Sequence, residues 1–469
     1  LENSAAFIAA FSYHSVGSVI FRQEGGKMQR GILAALILAP FCVLAAEEPV
    51  TLYRDVSLFD SASAGMAAHR SILVKGERIA EVGGADLAAP EGAKIVEGKD
   101  AFVIPGLIDS HVHLATLPNR AEAEAIMRRD LYGGVTALRD MAGDARFLAE
   151  LSRETMLNEV AGPDIAYAAL MAGPEFFVDP RTHAASKGLT AGAVPWLKAV
   201  DDKTDFKIAV AEARGTGASA IKIYADLPAS TVRSIVAEAH RQHFAVWAHS
   251  MVFPATPEEG IDAGIDVISH ACMLAYQAMK EKPKAYHDRA MVEAVLIDRT
   301  RDPVLAKLFQ AMKEKGTMLD ATLRVYQEGE KRLEKDPHRS GSYCPLELAA
   351  SITAQAHRAG IPISAGTDGV APASEAWPEV FDEIKLLADK AGFTPAEALQ
   401  AGTLQSARAM GWEEDLGTVQ KGKLADFVLL SADPTLDLAN LRRVRLVVKR
   451  GAAYPRENFK PLTPQELGE

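Results

Sequence analysis

Val103-Ile-Pro-Gly-Leu-Ile-Asp-Ser-His111-Val-His113 carries an apolar run straight into two alternating histidines. Side chains at i and i+2 of a strand point the same way, so His111 and His113 can offer two imidazoles to one pocket. A lone His-x-His arises often by chance, and it gains weight only if further ligands lie at suitable strand ends. Short apolar or β-branched runs recur downstream at 135–140, 164–170, 220–224, 245–249, 267–270, 317–322 and 363–368. The segments between them, such as 231–242 and 346–359, space apolar residues at helical intervals. About eight strands alternating with helices predict an α/β fold, a (β/α)8 TIM barrel. In such a barrel the carboxyl ends of the strands open on one mouth. His111, His113, Lys222, His249, His270 and Asp368 all fall near those ends, so six side chains of metal-ligand type converge on one centre.

This set resembles the amidohydrolase superfamily, in particular members with two metal ions and a bridging lysine. The motifs are His-x-His after the first barrel strand, Lys after the fourth, His after the fifth and sixth, and Asp after the eighth. The run Thr394-Pro-Ala-Glu-Ala-Leu and the later Leu416-Gly-Thr-Val-Gln-Lys-Gly-Lys-Leu-Ala-Asp-Phe-Val-Leu-Leu are similar to the imidazolonepropionase-like and prolidase-like branch. The resemblance runs from about Val50 to about Tyr454. It implies that His111, His113 and Asp368 bind the deeper ion and His249 and His270 the more exposed one. It also implies that Lys222, carboxylated by carbon dioxide, bridges the two ions together with a hydroxide. Unmodified, Lys222 would be an ammonium beside two cations, which is costly. Imidazole and carboxylate donors suit two divalent ions, zinc first.

The function expected is metal-dependent hydrolysis of an amide, cyclic amide or peptide-like bond by that hydroxide. Asp368, Tyr224 and His249 are the candidate catalytic residues, with Asp368 moving the proton to the leaving nitrogen. Tyr224 shares the face of Lys222 and can donate to a substrate carbonyl. His183, in a Gly/Pro-rich loop, and Arg324, just past the seventh strand, are candidate substrate contacts, Arg324 for a carboxylate. Arg139 and Asp140 read as a structural pair inside the barrel. Leu274 stands where prolidase-like relatives carry a tyrosine, with Tyr276 nearby. Imidazolonepropionase itself uses one metal and lacks the bridging lysine. The alternatives are a Xaa-Pro or Xaa-Arg dipeptidase or N-acyl amino acid hydrolase, a lactonase, esterase or phosphotriesterase-like hydrolase, and a non-catalytic binding protein on this fold.

Working outward, 469 residues suffice for a large barrel and a smaller domain. Residues 47–103 and 415–469 are rich in short alternating strands and turns, and are expected to build one β-sandwich from both ends, around a barrel at 104–414. A net charge of −11 without a basic stripe argues against nucleic acid. A small-molecule or dipeptide-like substrate is the partner expected, and a homo-oligomer is compatible with the sequence. Lys27–Arg30 is basic, 31–44 is almost wholly apolar, and Ala45-Ala46 are small. That pattern reads as a cleaved signal peptide at 28–46, too short for a stable membrane span, and predicts a periplasmic or secreted protein. Residues 1–27 read as an upstream segment. Cys272 and Cys344 could form one disulfide, but Cys272 reads first as a small buried residue.

Two stretches break the barrel spacing. Roughly 45 residues separate His270 from the 317 strand, and 324–343 is highly charged without apolar periodicity. Both are expected to overhang the mouth as lid or substrate loops.

Overall fold

The computed structural model describes residues 48–288, 290–336, 344–369, 372–463 and 465. The signal-peptide reading at 28–46 and the segment 1–27 lie outside the described residues.

Five strands come first: β1 (Val50–Asp60), β2 (Gly65–Lys75), β3 (Arg78–Gly84), β4 (Lys94–Glu97) and β5 (Phe102–Pro105). Five of the eleven residues of β1 and three of the eleven of β2 are buried and the rest are partly or fully solvated, as expected of a sheet covered on one face. The barrel strands read differently. β6 (Leu107–Val112), β7 (Val135–Asp140) and β8 (Asp164–Ala172) are buried at every position, because helices cover the outside and side chains fill the inside. A small hairpin, β9 (Ala193–Val194) and β10 (Leu197–Ala199), follows β8. Then come β11 (Ala220–Ile223), β12 (Ala245–His249), β13 (Val267–Ser269), β14 (Met318–Asp320) and β15 (Ile363–Ser364). From β6 to β8, and on through β11 to β15, each strand pairs in parallel with the next. The barrel closes where Ser110 N donates to Ala365 O at 2.9 Å and Val112 bridges Gly369.

The chain then returns to the first sheet as β16 (Phe427–Leu430), β17 (Val444–Lys449) and β18 (Ala452–Pro455), with β16 antiparallel to β5. One eight-stranded sheet is thus built from both ends of the described chain. Its core includes Tyr53 and Phe427, whose rings meet edge to face at 5.0 Å. Lys449 Nζ and Arg450 Nε each lie 2.7 Å from a different oxygen of Asp164, tying the end of β17 to the start of β8 at the barrel floor.

The helices follow local signals. Asp302 caps the helix Pro303–Lys315, Pro303 opens it, and Gly316 at φ 76° ends it in the left-handed conformation. Expected at 231–242 and 346–359, helices span Ala229–Arg241 and Leu346–Arg358. One expectation is corrected: much of the charged stretch from 324 onward is a helix, Leu323–Lys335. Its buried side is only Leu323, Arg324 and Tyr326, too narrow a stripe to stand out among the charges. The long segment after His270 carries short 3-10 helices, at Ala271–Ala278, Tyr286–Asp288 and Ala294–Leu296. A disulfide between Cys272 and Cys344, with Cα atoms 6.3 Å apart, joins that segment to the entry of the helix Leu346–Arg358. Cys272 is buried, as first read, and it is also paired; its partner stands 72 residues away and only the fold brings the two together.

Candidate metal centre and active site

The six predicted ligands all sit at the carboxyl ends of barrel strands, or in the first residues beyond them. Their rings form a chain. Ring centroids lie 5.3 Å apart for His113 and His111, 5.1 Å for His111 and His270, and 4.8 Å for His270 and His249. Asp368 Oδ1 is 3.2 Å from His113 Nε2 and 3.5 Å from His111 Nε2, and Asp368 Oδ2 is 4.0 Å from His270 Nδ1. His111, His113 and Asp368 alone place three donor atoms within 4.8 Å of one another. Lys222 stands on β11, paired in register with Trp247 of β12, and is fully buried.

Backbone irregularity aims these groups. The pairing of β6 with β7 slips between Asp109 and Val112, where His111 lies and just before His113. His270, Thr322 and Asp368 have φ values of 76°, 53° and 47°. Left-handed backbone at a non-glycine residue costs about 1–3 kcal/mol and persists only where surroundings enforce it. Here Asp368 N donates to His111 O at 2.9 Å and His270 N to Asp320 O at 3.0 Å, which lock the turns.

Beneath the histidines lies a polar floor. Asp320, at the end of β14, accepts from His111 Nδ1 at 2.6 Å, Arg139 Nη2 at 3.0 Å, Ser269 Oγ at 2.9 Å and Ser110 Oγ at 3.3 Å. A carboxylate on Nδ1 fixes the tautomer, so the Nε2 lone pair of His111 faces Asp368. Arg139 stacks on Trp247, 4.7 Å from the ring centroid. Arg139 and Asp140 are therefore not a pair, which corrects the sequence reading. Adjacent strand residues point to opposite faces, and Asp140 instead accepts from the backbone of Leu114 and Ala142.

Electrostatics suit metal binding. Burial drives His270 down to about 3 and His249 well below its ordinary value, so both are neutral donors. Burial would raise Asp368, but His111, His113 and His270 outweigh it and hold the carboxyl well below its usual range. Burial, then Arg139, brings Lys222 down to about 7. Lys222 Nζ and His249 Nδ1 have no hydrogen-bond partner among the described residues. A buried amine and a buried imidazole nitrogen left idle beside a carboxylate and three more imidazoles fit a site built for divalent ions.

The other predicted residues divide. Tyr224 lines the mouth, its ring 4.1 Å from that of His249 and its hydroxyl 3.4 Å from that of Tyr286. His183 is exposed on the short helix Pro180–Ala184 and does not line the mouth cavity. Arg181, on the same helix, does. Arg324 is buried, with Nη2 3.3 Å from Glu379 Oε1, and it too is absent from the cavity wall. Its place as the candidate carboxylate contact is corrected on that ground: the following helix turns its guanidinium inward. The cavity holds about 580 Å³, the size of a small-ligand site. Asp320, Arg181 and Tyr286 were missed. Asp320 could have been found by asking which ionisable residue ends each strand; the other two sit on short helical turns over the mouth, at no regular spacing from a strand end.

A profile of the amidohydrolase family matches residues 102–453. The chain belongs to the amidohydrolase family. Like the family at large it is a metal-dependent hydrolase acting on carbon–nitrogen bonds. It is 26% identical over 413 residues to imidazolonepropionase of Anaeromyxobacter dehalogenans, covering 83% of this chain and 91% of that protein. A Xaa-Pro dipeptidase solved with methionine in its active site superposes with a TM-score of 0.68 at 21% identity, over 87% of this chain and all of the other. The ochratoxinase of A. niger gives 0.67 at 21% identity, over 88% of this chain and 98% of that one. These two structural likenesses are of fold.

Proposed function

We propose that this amidohydrolase uses two zinc ions, bridged by a carboxylated Lys222, to cleave the amide or peptide-like bond of a small substrate outside the cytoplasm. The observation that carries this reading is Lys222 Nζ, fully buried and without a partner among four imidazoles and a carboxylate. As a bare ammonium there it costs several kcal/mol. As a carbamate it is an anion with two donor oxygens, which four neutral histidines and one carboxylate lack for two dications.

When bound, the ions supply Lewis acidity at the carbonyl and lower the pKa of water. The residues do the rest. Asp368, held anionic, takes the proton lost by the attacking water and returns it to the leaving nitrogen. Tyr224, whose phenol is held well above its ordinary value by burial and by Tyr286, stays protonated and can donate to the oxyanion. His111 is kept in one tautomer by Asp320. The Cys272–Cys344 disulfide supports export, because such bonds persist in oxidising compartments.

The test is metal content after reconstitution with zinc and bicarbonate. About two equivalents are expected in wild type and about one in Lys222→Ala, with the second restored by acetate or propionate. Full occupancy in Lys222→Ala without added carboxylate would refute the bridging role. A panel of dipeptides, N-acyl amino acids, lactams and lactones, with Asp368→Asn as control, separates amide from ester substrates.

A further inference from the structure

The helix Val380–Ala391, which follows the last barrel strand, turns two buried carboxylates toward the supports of the metal centre. Glu379 stands at its N-cap and Glu383 one helical turn further on. Glu383 works on the His270 side. Thr322 is the N-cap of the helix Leu323–Lys335, where a threonine hydroxyl ordinarily accepts from a first-turn amide. Here that hydroxyl caps nothing, and its Oγ1 lies 2.9 Å from His270 Nδ1 instead. The first-turn amides go to Glu383, which accepts from Leu323 N at 3.0 Å and from Arg324 N at 2.7 Å. Glu379 works on the Asp368 side. Its carboxylate fills the space over Gly369, where a Cβ would stand 1.6 Å from Glu379 Oε2. Gly369 follows Asp368 and bridges Val112, so this carboxylate packs on the turn that carries Asp368. Arg324 ties the two together: its backbone N–H is on Glu383, and its Nη2 is 3.3 Å from Glu379 Oε1.

The backbone they act on needs support, since His270, Thr322 and Asp368 are all left-handed without being glycine. A buried ion pair is in general a poor way to stabilise a fold, because desolvation offsets its attraction. This one lies directly behind two ligands. We propose that Glu379, Glu383 and Arg324 form a clamp that keeps Asp368 and His270 aimed at the metal ions. The clamp rests on the metal-hydrolase reading above. Its three members act through Asp368 and His270 and are positioning residues. Arg324, which the sequence had suggested as a substrate contact, thereby acquires a different part.

The experiment measures zinc affinity by competition with a chromophoric chelator, and ligand geometry by the visible bands of cobalt-loaded protein. One variant combines Arg324→Met with Glu379→Met, which removes both charges and leaves neither unpaired. Its metal-free melt is expected to stay near that of wild type. The other is Glu383→Gln, which keeps the size of the side chain and turns one acceptor oxygen into a donor facing an amide N–H. Each should weaken zinc binding about 10- to 100-fold and move the cobalt bands. Arg324→Lys, which keeps a cation beside Glu379, should lose less than the double variant. A merely structural pair would move the melt and leave the zinc affinity and cobalt bands of the folded protein as in wild type; that result overturns the clamp. Should the double variant fail to fold, Glu379→Gln carries its arm with the same expected loss, and an affinity ratio to wild type near one overturns the part given to Glu379. Wild type that binds fewer than two zinc ions counts against the bridged pair alone, since the clamp is read as a ratio between variant and wild type. Wild type that binds no zinc sinks both.

Discussion

Asp320→Asn changes one atom in the floor of the metal centre and should be felt twice. The carboxylate accepts from His111 Nδ1 at 2.6 Å and from Arg139 Nη2 at 3.0 Å, all three side chains being essentially inaccessible. Burial alone would raise its pKa, yet His111 and Arg139 pull it below the ordinary value, so both contacts are charge-assisted. An asparagine keeps one acceptor oxygen and turns the other into a donor. Arg139 then loses its hydrogen-bonded counter-charge and keeps the carbonyls of Ser110 and Ala409 and the face of Trp247. Breaking a buried pair in this way costs about 3–5 kcal/mol. For a protein of this size that lowers the melting temperature by roughly 3–5 °C. Separately, His111 loses the partner that fixes its tautomer, which costs about 10- to 100-fold in metal affinity. The assays are a melt of metal-free protein and zinc competition against a chromophoric chelator. Asp320→Asn combined with Arg139→Met should recover part of the stability and none of the affinity. Unchanged zinc affinity and an unchanged melt in Asp320→Asn would sink the reasoning.

Two further outcomes are expected from the same structure. Reduction, or Cys272→Ser, should destabilise the protein by up to about 4 kcal/mol, the chain-entropy value for a loop of 72 residues; a melt that reductant leaves unmoved counts against the bond. The pKa of Lys222 is lowered by burial to about 7 from an unfolded value of 10.5. Between those values the unfolded chain binds more protons than the folded one, so the stability of metal-free wild type should rise relative to Lys222→Met as pH climbs from 7 to 10.5. A gap between the two proteins that stays constant across this window would show that Lys222 titrates normally.

The barrel was legible because its strands are buried on both faces. That forces long apolar runs such as Asp164–Ala172, while the helices between them show a period near 3.6. The ligand positions were legible for a related reason. In a parallel barrel every strand ends on the same side, so a polar residue closing an apolar run has only one place to go. The helix Leu323–Lys335 was missed although Leu323, Tyr326 and Leu333 fall on one face of it, because charged residues fill most of its other positions. Nor was the choice between His183 and Arg181. Both lie on one turn of helix, and which of them faces the cavity depends on how Pro180–Ala184 is set down over the mouth.

By itself, then, the sequence determined the architecture and the identity of the residues gathered at the strand ends, because period and strand polarity are local properties. Only the tertiary structure decided which side chains those residues meet. It paired Arg139 with Asp320 rather than with its neighbour Asp140, joined Cys272 to Cys344, turned Arg324 toward Glu379 and left Arg181 facing the cavity. Each of these is a contact between elements far apart in the chain, and the spacing of residues along one element carries no information about what a second element brings to meet it.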